Sequence, residues 1–365
     1  MPRRTATMLA STLMLIALLC AGVFITVPYA EMSPGPTVNT LGDHDGEPVL
    51  QIAGRKTYPA TGHLNMTTVR VTRANYNMNL VEAVYGWLAH DSKVVPHDTL
   101  YPEGTTEEQS TQENAEEFSQ SQESAKVAAL DQLGVPVKSW VIVSTVLKSS
   151  PAEGRLHAGD VIKAVDGTAV KQPADVARLV TKHKPGQDVV FTVVPVKEQA
   201  AAEKAHRTAT ATKDVKITTA ASDDSGAKRA IVGISAGTDH TFPFSIDIKL
   251  ADVGGPSAGL MFALGIYDKL TPGDLTGGKF VAGTGTIDDD GKVGPIGGIE
   301  MKTVGARDKG AQYFLTPADN CEAAAKDTPG GLTLVKVKTI DDAIGALKLI
   351  SGGRTADLPK CTTKG

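Results

Sequence analysis

The run from Thr5 to Ala30 contains no charged side chain, and it follows directly on Arg3 and Arg4. Its centre, Met8 to Val27, is rich in Leu, Ile, Val, Met and Ala. A helix rises about 1.5 Å per residue, so roughly 20 such residues cross a hydrocarbon core of about 30 Å. Residues 1–30 are therefore expected to form a cytoplasmic stub and a transmembrane anchor in the lipid bilayer. The two arginines would stay on the cytoplasmic side and the remainder of the chain would lie outside. A cleaved export signal is the rival reading. Ala30 can end a cleavage site, but Pro28 stands where a small residue is wanted, and Cys20 follows Leu19 rather than the small residue a lipoprotein site prefers.

The remaining chain is built to fold. Hydrophobic residues make up 41% and charged residues 21% of 365, which allows two or three packed domains. A net charge of −4 without a basic stripe argues against nucleic acid as a partner. No Cys/His cluster has metal-ligand spacing, so no metal or cofactor is expected. Cys321 and Cys361 lie in the exported part, where an oxidising compartment permits a disulfide; two free thiols are the alternative.

Behind the stiff connector Ser33-Pro34-Gly35-Pro36, residues 48–56 and 67–73 alternate as half-buried strands do, and 78–90 read as a helix. Residues 103–124 are acidic and polar, a loop passing into a solvated helix that continues to Leu133. Residues 31–125 are thus expected as a small β-rich and helical region of their own. Residues 126–222 follow as a compact block. It holds a strand at 140–146, an Asp166-Gly167 hairpin turn, a helix at 173–183, a strand at 188–196 and a polar, Ala-rich insertion at 198–214. The stretch SPAEGRLHAGDVIKAVDG (150–167), with the helix and strand behind it, resembles a PDZ domain. The resemblance implies that an extended peptide adds as a strand beside a helix. It also implies a carboxylate-binding loop ahead of strand 140–146, where Gly134 to Lys138 stand. A β-rich spacer that binds nothing is the alternative.

The chemistry is expected in residues 228–350, with 351–365 as a tail. Strands at 230–235 and 244–250 lead to Gly254-Gly255-Pro256-Ser257-Ala258-Gly259 and then to a helix. A serine at a helix start sits among free N–H groups and the positive end of the dipole, where an oxyanion is stabilised. Gly255, Pro256 and Ala258 frame that backbone. Taken alone, the serine is equally an N-cap. The string also satisfies Gly-x-Ser-x-Gly, but the acid and histidine of a hydrolase triad would have to follow it, and the last histidine is His240. The base must be another residue. Lys302, on a helix behind Pro295-Ile296-Gly297-Gly298, serves if burial among groups such as Ile296 and Ile299 lowers its pKa. An ordinary surface lysine is the alternative.

Together GGPSAG (254–259) and GTGTIDDDGKVGPIGGIEMK (283–302) resemble the proteolytic domain of the Lon family. The resemblance implies Ser257 as nucleophile, Lys302 as general base and Thr284 as a threonine that hydrogen-bonds the lysine. Asp252 falls near the family's acidic residue, with a longer gap to the serine than the family usually has. No Gly-x-x-x-x-Gly-Lys-Ser/Thr phosphate loop is found. The expected chain is an α+β multidomain protein: N-terminal transmembrane helix, small β-rich region, PDZ-like domain and C-terminal Lon-type α/β domain. The expected function is an ATP-independent, extracytoplasmic serine endopeptidase acting on unfolded or flexible segments. A non-catalytic, membrane-anchored PDZ scaffold is the alternative. The resemblance also implies a homo-oligomeric ring.

Overall fold

The first element is helix α1 (Arg3–Phe24), exposed along almost its whole length. By length and composition it can cross a membrane, and a signal sequence would meet the same description. The structure is a computed structural model that describes residues 3–102, 104–204, 209–222, 228–250 and 253–363. After α1 come β1 (Tyr29–Asn39), β2 (Leu50–Ala53), β3 (His63–Val71), α2 (Leu80–Leu88), β4 (Lys93–Pro96) and α3 (Glu107–Gln132). The chain then runs through β5 (Lys138–Val146), β6 (Val161–Val165), α4 (Pro173–Val180), β7 (Asp188–Val194), β8 (Lys213–Thr218) and β9 (Ile234–Thr241). It continues with β10 (Ser245–Ile248), α5 (Gly259–Leu270), β11 (Phe280–Gly283), α6 (Ile299–Asp308), β12 (Tyr313–Pro317), β13 (Thr333–Val337) and α7 (Ile340–Ser351).

These elements form two compact units, one of Met1–Pro136 with Phe244–Gly365 and one of Val137–Pro243. The first unit is built on a six-stranded sheet in the order β13-β12-β11-β3-β1-β4. Strands β3, β11, β12 and β13 run parallel, and β1 and β4 close the sheet with antiparallel pairs. The boundaries expected from sequence change accordingly. Residues 31–125 do not stand apart: β3 lies in the middle of the sheet, with Leu64 and Met66 fully buried, and it pairs with the four-residue β11. Without β3, the parallel strands of residues 280–337 would end on an open, apolar edge. The tail is also drawn in. The Lys336 N–H donates to the Pro359 carbonyl at 2.7 Å, the Cys361 N–H to that of Leu334 at 3.2 Å, and Cys361 is disulfide-bonded to Cys321.

Helix α3 departs from the solvated helix that its acidic start suggests. Thr106 and Gln109 form a capping box, and the first half of the helix is largely exposed. Phe118, Ser121, Ala125 and Val127 to Leu130 are buried. The Phe118 ring meets Phe262 of α5 edge-on, with centroids 5.9 Å apart.

The second unit is an antiparallel sheet in the order β8-β7-β6-β5-β9, around a core that includes Val143, Leu156, Ile162, Phe191 and Ile217. Asp166 and Gly167 both have positive φ, as a tight hairpin turn between twisted strands requires. Residues 228–243 were expected with the catalytic domain. Their strand β9 instead pairs with β5 along its whole length and forms an outer edge of this sheet. Of the Ala-rich insertion, Val196–Lys204 is a helix and β8 begins at Lys213, while residues 205–208 lie outside the described ones.

Candidate active site

Four segments of the first unit meet around Ser257. The glycine-rich turn ahead of α5 carries the serine, α6 carries Lys302, and β3 and α3 hold the two in place. Ser257 is not the helix cap: Ala258 occupies that position and makes no side-chain capping bond. The serine hydroxyl is free of the capping role and lies 2.8 Å from Lys302 Nζ.

Lys302 is 2% exposed. Its Nζ also donates to the Thr67 carbonyl, at the middle of β3, at 2.8 Å. Burial pulls its pKa down from the usual lysine range to about 7, because a charged ammonium loses its hydration in an apolar surround. Ile299 and Met301 beside it are buried, while Ile296 is half-buried. The helix reaches this depth because Gly298, its N-cap, takes a left-handed conformation at φ 66° against β1 and β3. A Cβ there would come within 2.8 Å of Met32 Cε and 2.9 Å of Val69 Cγ1.

Thr284 does not reach the lysine as the family resemblance implied. Its hydroxyl donates to the Ser257 carbonyl at 3.0 Å, and the Gly285 N–H donates to the same oxygen at 2.9 Å. Sitting at the end of β11, Thr284 thus anchors the backbone of the serine turn, and the lysine takes its second partner from β3. The expected set of oxyanion donors narrows too. Pro256 has no N–H to offer, and the Gly255 N–H is spent on the Asn114 carbonyl at 2.9 Å. Among the described residues, the N–H groups of Ser257 and Ala258 have no hydrogen-bond partner. Asp252 lies outside the described residues.

Three contributors had no signature in the sequence: Thr67, Asn114 and Ser121. Ser121 Oγ donates to the Pro256 carbonyl at 2.9 Å, and a Cβ on Gly259 would fall 2.8 Å from that same oxygen. Helix α3 and the serine turn are therefore fitted to each other at one residue's thickness. A cavity of about 500 Å³ opens on the pair, bordered by Met32, Thr68, Val69, Asn114, Gly254, Ser257 and Lys302. A hydroxyl held against a buried amine that loses its proton near pH 7, beside N–H groups without a partner among the described residues and open to a cleft, has the parts needed for acyl transfer.

The second unit has a cavity of its own, of about 500 Å³, between α4 and β9. Its lining includes Val176, Ala177, Val180, Ile231, Val232 and Ile234. The strand that borders it is β9, so the loop ahead of it is Ile231-Val232-Gly233, with Gly233 at φ 79°. The segment from Gly134 to Lys138 leads instead into β5, one strand further in. The apolar-apolar-Gly-apolar pattern of residues 231–234 falls in the stretch expected as the first strand of the next domain.

Comparison with known proteins gives two matches along the chain. Residues 119–203 match the PDZ domain model, and residues 251–349 match the model of the Lon protease (S16) C-terminal proteolytic domain. Lon protease 2 of Bacillus subtilis (strain 168) is 36% identical over 94 residues, which is 25% of this chain and 16% of that protein. Lon protease of Azospirillum brasilense is 37% identical over 93 residues, 25% of this chain and 11% of that protein. The matched segment is thus a small part of these relatives' own length. Among solved structures, the PDZ domain of an SdrC-like protein from Listeria monocytogenes is 25% identical, with a TM-score of 0.21, covering 27% of this chain and 86% of that one.

Proposed function

We propose that this chain, which joins a PDZ domain to a Lon-type proteolytic domain, is a serine peptidase that cuts peptide bonds through Ser257 and Lys302. The observation that carries the reading is the 2.8 Å approach of a buried amine, with its pKa near 7, to the serine hydroxyl. A neutral amine that gives one N–H to the Thr67 carbonyl still has its lone pair for the serine proton. Lys302 takes that proton as Ser257 Oγ attacks the scissile carbonyl, and the N–H groups of Ser257 and Ala258 receive the developing oxyanion. The tetrahedral adduct collapses, the C–N bond breaks, and Lys302 returns the proton to the leaving amine. Water then attacks the acyl-serine, passes its proton to Lys302, and the ester oxygen recovers a proton as the acid leaves. Every proton in this cycle is held by Lys302, Ser257, substrate or water, and no step calls for ATP.

The cleft that opens on Ser257 and Lys302 favours unfolded or flexible segments as substrates, whose backbone can enter it in extended form. The cavity between α4 and β9 supports a docking role for the second unit, in which a peptide lies along the outer edge of β9 with side chains on Val176 and Val180. With α1 retained in the bilayer, the site faces the extracytoplasmic side, where a Cys321–Cys361 bridge persists. Assembly into a ring, as the family resemblance implies, would give several such sites in one particle.

The test compares peptides released from membranes carrying the wild type and Ser257→Ala. The proposal expects a set of peptides that disappears with the substitution. Identical peptide sets, with both proteins folded and present in equal amount, would return the chain to the scaffold reading.

A further inference from the structure

Helix α2 turns an apolar face to solvent. At about 100° per residue, Leu80, Val84, Trp87 and Leu88 fall on one side of it, with Tyr85 at the margin. Tyr85 is 74%, Trp87 56% and Leu88 82% exposed. The opposite side is spent inward, with Ala83 and Gly86 buried and Glu82 closing a capping box with Asn79. Nothing in the first unit's own fold asks for this outer face.

Its position supplies the reason. The Leu80 N–H donates to the Ile25 carbonyl at 2.9 Å, the Val27 N–H donates to the Met78 carbonyl at 2.9 Å, and Thr26 bridges to Asn79. The first turn of α2 is thus tied to the residues directly behind Phe24, the last residue of α1. Gly22 of α1 is buried, with Val81 Cγ2 only 3.0 Å from where a Cβ would stand. Nine residues of helix reach about 14 Å, about twice the roughly 5–8 Å of headgroup and interfacial layer on one side of the hydrocarbon core. The apolar side chains continue to the far end of α2, so the helix must lie along the membrane plane for Leu88 to leave water. The Trp87 ring is braced edge-on by Tyr29, with centroids 5.5 Å apart. Ring-bearing side chains of this kind settle where hydrocarbon gives way to headgroups.

We propose that α2 is a membrane-seating helix, laid with Leu80, Val84, Tyr85, Trp87 and Leu88 in the interface of the leaflet that α1 exits. The proposal rests on α1 being a retained span. The seat fixes the height of the active site: Met32, which borders the cleft, is eight residues beyond Phe24, at most about 29 Å of extended chain. Segments of other proteins close to the bilayer surface are then within reach.

The chain carries the two probes needed to test this. Cys20 is the free cysteine of α1, since Cys321 and Cys361 are bridged, and a fluorophore attached to it without reduction reports on the span. In full-length protein with Trp140→Phe, Trp87 is the remaining tryptophan and reports on α2. Both are measured in vesicles of phosphatidylcholine brominated at graded depths. The proposal expects the Cys20 fluorophore to be quenched by deeply placed bromine. It expects Trp87 to emit at shorter wavelength than in detergent-free water and to lose intensity most with shallow bromine. Tyr85→Ser with Leu88→Ser should reduce the Trp87 loss and leave the Cys20 signal unchanged. A quenched Cys20 fluorophore with Trp87 unaffected at every depth overturns the seat alone, and cross-linking through position 85 would then assign the face to a second copy. A Cys20 fluorophore beyond the reach of all bromines overturns the span and the seat together.

Discussion

A buried lysine costs stability whenever it is charged, and Lys302 makes that cost measurable. Its pKa of about 7 in the folded state lies below the ordinary lysine value of 10.5. Between those values the unfolded chain holds one more proton than the folded chain, so stability rises with pH across the window, by about 1.4 kcal/mol per pH unit. Below pH 7 both states are protonated and the folded state bears the full burial penalty. Lys302→Met removes the group, and it should remove the slope between pH 7 and pH 10 and be relatively most favourable below pH 7. Urea midpoints across that range check this. A slope that survives the substitution would mean that another group titrates there. The surrounding residues explain why the lysine is tolerated: the Thr67 carbonyl and the Ser257 hydroxyl satisfy its polar end.

At the scale of elements, α6 delivers that lysine only because its start can press against β1 and β3. Gly298→Ala places a methyl within 3 Å of Met32 and Val69 and holds a non-glycine residue at positive φ. The expected cost is about 1–3 kcal/mol, read by denaturant midpoint, together with a loss of Ser257 reactivity larger than the stability loss explains. The serine and lysine motifs were legible in sequence because each is a short run with glycines at fixed offsets. Thr67, Asn114 and Ser121 were not, for a physical reason. Thr67 and Asn114 contribute backbone carbonyls, which any residue carries, and Ser121 acts through a hydroxyl on an otherwise ordinary helix face. All three come from residues more than 130 positions ahead of their partners. The alternation in β3 announced a strand, yet nothing local could say that its neighbour would be β11. The same limit hid β9: its pattern marks a strand, and only its pairing with β5 shows which sheet it completes.

On the scale of the whole molecule, the second unit is an insertion between two halves of the first. This arrangement lets the two proposed activities be separated by substitution. Ala177 is an exposed residue on the α4 side of the cavity bordered by β9. Ala177→Glu should put a charge in that cavity without opening a core, and peptide affinity should fall by about tenfold or more, equivalent to roughly 1.4 kcal/mol. Titration with an extended peptide measures the loss, and Ser257 labelling by a small reagent should be unchanged. Labelling that falls in parallel would indicate a general folding defect rather than a docking site.

The central claim is that Lys302 activates Ser257, and the rate at which Ser257 is acylated tests it most directly. That rate is to be followed with a small serine-directed acylating reagent from pH 5 to pH 9, in the wild type and in Lys302→Ala. The rate in the wild type should climb with a midpoint near pH 7, where the amine loses its proton, and then level off. In Lys302→Ala it should fall by about 10²–10⁴-fold and lose that midpoint. Equal labelling of the two folded proteins, or labelling that spares Ser257, would contradict the account.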